Sequence, residues 1–134
     1  MGDYAPVTDK RNTYTFLTSG AVTGGSLLVV SGSGTVAKAG TAALINYVGV
    51  AAHDAASGAR VTVWMRGPVH ESLADGAIAA GAQVTTSGTA NRDVAALAAA
   101  GAAYVQAEAN ASRAVIGIAL TTGVDNTKFR WMSV

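Results

Sequence analysis

Apolar and polar residues alternate with period two along Thr13-Tyr14-Thr15-Phe16-Leu17-Thr18, the pattern of a strand with one apolar face. Before it, Gly2 to Arg11 has no pattern of its own, and helical spacing is absent. Residues 1–24 therefore read as an extended arm that ends in a strand, with a frayed terminus as the bland alternative. Leu27 to Val30 is a short apolar run bounded by glycines, hence a buried strand. A turn at Ser31 to Gly34 leads to a returning strand over Thr35 to Ala39. Thr41 to Tyr47 fits either a helical turn or a lead-in to the next strand.

The clearest hairpin follows. Val48 to Ala52 and Arg60 to Met65 flank Asp54-Ala55-Ala56-Ser57-Gly58, a loop with turn chemistry. In its second strand Val61, Val63 and Met65 point one way, and Thr62, Trp64 and Arg66 point the other. Pro68 ends that strand. Val69 to Leu73 fits another short strand, and Ala82 to Gly88 reads as strand then turn. A second hairpin closes the chain, from Val115 to Leu120 and from Thr127 to Met132, around a turn at Thr121 to Asp125.

These elements recur. Gly25 to Gly32 matches Gly81 to Gly88 at an offset of 56, and Val48-Gly49-Val50-Ala51 matches Ile116-Gly117-Ile118-Ala119 at 68. Trp64-Met65 matches Trp131-Met132 at 67. The second half then carries about a dozen additional residues near 93–110. By propensity that insert is the best helix candidate, with Val94, Leu97, Gly101, Tyr104 and Val105 on one stripe. Gly101 interrupts it, so the expectation is at most a short helix over 93–100 and a strand over 103–108.

Composition narrows the function. Of the 134 residues half are hydrophobic, but only 6% are aromatic and 13% charged. A core of small side chains buries little apolar area per residue, which a partner surface could supplement. Compositional bias toward Ala and Gly explains the same numbers. The length suits one domain, with 1–24 as the arm and 25–134 as a single β domain. Net charge is +1 and no basic stripe exists, which argues against nucleic acid. Without cysteine there are no disulfides, thiolate sites or Cys nucleophile. The N-terminus lacks the signature of a signal peptide, and no apolar run approaches the roughly 20 residues of a membrane span.

Candidate chemistry is sparse. His53-Asp54 and His70-Glu71 are adjacent pairs; neighbours on a strand face opposite ways and cannot share a metal, and surface loop residues are the default reading. No serine sits in Gly-x-Ser-x-Gly or Ser-x-x-Lys. Gly32-Ser33-Gly34 has two of the three glycines of a dinucleotide loop, and a turn explains them. No enzyme activity, cofactor or metal is expected. The tryptophans stand out instead. Trp64 shares a mixed face with Thr62 and Arg66 and is an interface candidate, with core as the alternative. Trp131 shares its face with Phe129, opposite Lys128 and Arg130, and reads as core.

The order of these motifs resembles the tailed-phage capsid decoration, or cement, protein family. The resemblance rests on Val48-Gly-Val-Ala-Ala-His-Asp-Ala-Ala-Ser-Gly-Ala-Arg-Val-Thr-Val, Gly67 and Ile116-Gly-Ile-Ala-Leu, and on the opening Tyr14-Thr-Phe-Leu-Thr, Val22-Thr-Gly-Gly and Leu28-Val-Val. It covers roughly residues 13–134, and the Ala-rich stretch 93–110 departs from it. It implies a mainly β, barrel-like or tulip-like domain with no catalytic residues. It also implies a homotrimer on the outer capsid surface of the virion, at threefold and quasi-threefold positions, clamping major capsid protein subunits. The arm, through Tyr4, Pro6, Val7, Tyr14 and Phe16, would pair with capsid by strand addition. Trp64 and Arg66 are the candidates for the oligomer interface. A tail or baseplate β module that binds host glycans is the alternative.

Overall fold

The computed structural model describes residues 12–41, 44–97 and 114–134. They form ten strands and two closed five-stranded barrels. The first barrel holds β1 (Thr13–Thr18), β2 (Leu27–Gly32), β3 (Thr35–Lys38), β4 (Tyr47–Ala51) and β5 (Arg60–Trp64). The second holds β6 (Val69–Asp75), β7 (Gln83–Thr86), β8 (Val94–Ala96), β9 (Gly117–Ala119) and β10 (Lys128–Ser133).

The two barrels share one topology. Each closes through a parallel pair, β1 with β3 and β6 with β8, and the remaining pairs in each are antiparallel and correspond one to one. Loop contacts repeat as well. The bridge Val22–Ala55 recurs as Ile78–Gly123. Gly25 N donates to Ala51 O at 2.8 Å, as Gly81 N does to Ala119 O at 2.7 Å. Both glycines hold a left-handed φ, 88° and 85°, which lets the chain turn into β2 and β7. Expectations of two related halves and a mainly β, barrel-like fold both hold.

The repeat also corrects the tryptophan alignment. Gly49 lies against Trp64 O and Val63, while Gly117 lies against Met132 O and Trp131. The true offset in these strands is therefore 68, as it is for Gly49 and Gly117. Trp131 corresponds to Val63, and Trp64 to Met132. The matching Trp-Met dipeptides are one residue out of register, which in a strand puts them on opposite faces.

The helix expected over 93–100 does not form where it can be seen, because Val94–Ala96 is a strand. β8 closes the barrel between Ala74 of β6 and Thr86 of β7, and buries Val94 between them. Tertiary pairing overrides the helix propensity of alanine. Residues 98–113, including the strand expected over 103–108, lie outside the described residues. So do residues 1–11. The strand that ends the expected arm, β1, is paired with both β3 and β5.

Small residues suit this architecture, because a narrow barrel has little interior to fill. Val22, Leu28, Val36, Ala51, Val61 and Val63 fill the first barrel. In the second, Trp131 and Phe129 join Ile78, Val84, Val94 and Ile116. Leu27, Tyr47 and Val50 of the first barrel pack into that same cluster, so one hydrophobic core runs from barrel to barrel. Across the seam, the Tyr47 and Ser133 hydroxyls are 3.2 Å apart and Leu44 N donates to Thr86 Oγ1 at 3.0 Å.

Candidate interaction surface

The outward alternation of β5 and β6 leaves an apolar patch on the surface. Val61 and Val63 are buried, so Trp64 must point out, and it is 37% exposed. Pro68 and Val69 follow after the Gly67 turn, and Val69 is 55% exposed. Trp64, Pro68, Val69 and His70 line a shallow depression of about 250 Å³. Met132, paired with Val69, and Ile118, paired with Met132, extend the apolar row across β10 and β9.

The described chain begins beside this patch. Asn12 O accepts from Met65 N at 2.9 Å, and the Asn12 side-chain amide donates to Arg66 O. Thr13 pairs with Trp64 in the ladder. Asn12 is thereby held next to Trp64. Of the expected arm residues, Tyr4, Pro6 and Val7 lie outside the described residues. Tyr14 and Phe16 stand on one face of β1 with ring centroids 4.8 Å apart. Tyr14 is exposed, while Phe16 leans on the first barrel's core.

Arg66 has intramolecular work. Its guanidinium donates to Val134 O and, at 3.4 Å, to Tyr47 O, and it lies 5.3 Å from the Tyr47 ring centroid. This ties the linker between barrels to the last residue. Burial at the seam raises the Tyr47 pKa above its ordinary value, against the lowering effects of the Ser133 hydroxyl and the Arg66 charge. Trp131 is fully buried and donates from Nε1 to Ser72 Oγ at 2.9 Å, as its core reading requires.

The histidines stay apart. His53 turns back on its own loop, with Nδ1 2.9 Å from Asp54 O and Nε2 accepting from Thr62 N at 3.2 Å. His70 faces Trp131 with centroids 5.3 Å apart, and its Nε2 is buried with no hydrogen-bond partner among the described residues. Burial lowers the His70 pKa. Among the described residues, no group of three or more His, Cys, Asp or Glu could hold a metal.

Sequence reasoning missed Val69, Ile118 and Met132 as surface residues. An apolar residue in a strand looks like core, and only barrel closure shows which face is out.

A family model described as phage cement protein matches residues 7–127. No curated protein matches the chain. Among solved structures it is similar to the head fiber gp8.5 N base of bacteriophage phi29, at 16% identity and a TM-score of 0.61, over 91% of this chain and 92% of that one. That likeness is one of fold. The family match covers nearly the whole chain, and the chain belongs to the phage cement protein family, as a structural protein of the outer capsid surface of the virion.

Proposed function

We propose that this protein binds the outer surface of the phage head at threefold and quasi-threefold positions and stabilises contacts between major capsid protein subunits. The observation that carries this reading is the tether at Asn12. Asn12, where the described residues begin, is held beside the exposed Trp64, Pro68 and Val69, and in this reading the arm that precedes it acts together with the patch as one adhesive surface. Large aromatics at a part-exposed apolar site are the usual anchors of protein interfaces. In this reading Tyr4, Pro6 and Val7 engage capsid directly. Tyr14 and Phe16 hold the base of the arm to the first barrel.

The body acts as a homotrimer. The internal seam supports this. In it, Leu27, Tyr47 and Val50 of the first barrel join Trp131 of the second in one cluster, Tyr47 meets Ser133, and Leu44 meets Thr86. The positions equivalent to Val50 and Thr86 are Ile118 and Val30. Ile118 is half-buried and Val30 is 43% exposed. The same contact can therefore repeat between copies, as a heterologous interface that closes into a ring.

Capsid binding is tested by pelleting expanded heads with three proteins: the full chain, a chain lacking residues 1–11, and Trp64→Asp. Weaker binding of both altered proteins, with unchanged melting temperatures, is the expected result. Undiminished decoration by both would reject the arm and patch as the capsid surface.

A further inference from the structure

One edge of β6 is covered by a strand only at its end among the described residues. β10 pairs along Val69 to Leu73, whereas β8 joins the opposite edge only at Ala74 and Asp75. Register decides which backbone groups remain. Ser133 N donates to Pro68 O at 2.9 Å and Ala74 N to Thr127 O at 3.1 Å. His70 and Ser72 accordingly turn their N–H and C=O toward β10, and Val69, Glu71 and Leu73 turn theirs away. Asp93 occupies Leu73: its N donates to Leu73 O at 3.1 Å, and its carboxylate accepts from Leu73 N at 3.0 Å. The N–H and C=O of Val69 and Glu71 have no partner among the described residues, and both residues are exposed.

A groove of about 360 Å³ starts at this edge. The turn at Gly24 and Gly25 of the first barrel forms its opposite wall, and Lys38 and Lys128 line it. Its acids are already engaged. Glu71 accepts from Arg130 Nε at 3.0 Å, and Asp93 holds the Leu73 amide. Lys38 and Lys128 have no ion pair among the described residues. The groove therefore offers two cations with no ion pair among the described residues against the one carboxylate of Asp93, and beside them a strand edge with two outward donors and two outward acceptors.

We propose that the open edge of β6 and the groove beside it take up an extended peptide strand carrying acidic side chains. The backbone ladder would continue through Val69 and Glu71, where Asp93 already extends it at Leu73. Side chains at alternate positions of the added strand face one side, which puts acids two residues apart within reach of Lys38 and Lys128. An unpaired edge is a template for such addition. The site borders the capsid surface proposed above at Val69 but uses neither Trp64 nor residues 1–11, so loss of either should leave probe binding unchanged.

The test uses the full chain, isotope-labelled, and a blocked decapeptide of alternating Thr and Glu as probe. Amide hydrogen exchange is read at Val69 and Glu71. With the probe at ten times its dissociation constant, exchange at both amides should slow about tenfold. The same peptide N-methylated at every amide, and a counterpart with Lys in place of Glu, should give no protection. The double variant Lys38→Glu, Lys128→Glu should bind the acidic probe at least about tenfold more weakly, which is 1.4 kcal/mol. Unchanged exchange at Val69 and Glu71 up to millimolar probe would overturn the proposal. Equal protection by the N-methylated or the Lys peptide would overturn it as well.

Discussion

Trp131 stands in the second barrel where Val63 stands in the first. Each packs against a glycine of the neighbouring strand, Trp131 Cε3 at 2.6 Å and Val63 Cγ1 at 2.7 Å from where a Cβ on Gly117 or Gly49 would lie. The glycines are thus equivalent, and the side chains they admit are not. In the second barrel the larger ring reaches the seam, with its centroid 6.4 Å from that of Tyr47 and 5.3 Å from that of His70. One barrel has a small closed core, and the other has a core that extends into its neighbour.

This close approach predicts the cost of filling either glycine. A methyl group at Gly117 would meet the Met132 carbonyl and the Trp131 ring, and one at Gly49 the Trp64 carbonyl and Val63. Ala normally gains about 0.5–1 kcal/mol over Gly in a strand, because the unfolded chain loses less entropy. Overpacking against backbone outweighs that, at about 1–3 kcal/mol. Gly117→Ala and Gly49→Ala should both lower the urea midpoint. An unchanged midpoint in either would mean that the strands can part without loss.

The buried Trp131 indole should depend on Ser72. Its N–H is 2.9 Å from Ser72 Oγ, and both residues are buried. Ser72→Ala leaves that donor without a partner, at a cost of about 1–3 kcal/mol. Trp131→Phe removes the donor and should make a second change at Ser72 nearly neutral. A double-mutant cycle by chemical denaturation measures the coupling, and additive losses would refute the pairing.

The strands were legible in the sequence because period two survives in a half-buried ladder. Val61 and Val63 are buried and Trp64 is exposed, as alternation in the hairpin predicts. The duplication was legible through Gly49 and Gly117, since close strand packing demands glycine at both. Register was not, because Trp-Met recurs by residue identity while the equivalent contacts lie one position earlier. β8 was hidden by helix-favouring alanines, whose strand pairing comes from Ala74 and Thr86, remote in sequence. The patch at Trp64 was half legible. Trp64 declared itself through its polar neighbours, whereas Val69 resembles any buried strand residue until the barrel closes.

His70 predicts a dependence on pH. Desolvation holds its folded pKa below the ordinary value near 6.5, so the unfolded chain takes up the proton first. Stability from this group is complete above pH 6.5. It declines as pH falls from there to the folded-state pKa, and is level below it. Melting temperature should therefore drop as pH falls below about 6.5, with a smaller drop in His70→Phe, which keeps a ring against Trp131. Parallel curves for the two proteins would show that His70 does not set this window.

The repeated seam predicts how self-association can be broken and partly restored. A heterologous contact uses two different surfaces, here the Ile118 side of the second barrel and the Val30 side of the first. Ile118→Lys spoils one and Val30→Lys the other, and each alone should sediment as a monomer where the unaltered chain is expected as a trimer. Mixed together, they keep one sound interface: the Ile118 side of the Val30→Lys chain against the Val30 side of the Ile118→Lys chain. The mixture should give a heterodimer and nothing larger, because the remaining surfaces of that pair both carry lysine and repel each other. An isologous interface would behave differently, since each variant would carry its own defect into every pairing. Monomers throughout the mixture, or trimers in either variant alone, would reject the repeated seam as the basis of assembly.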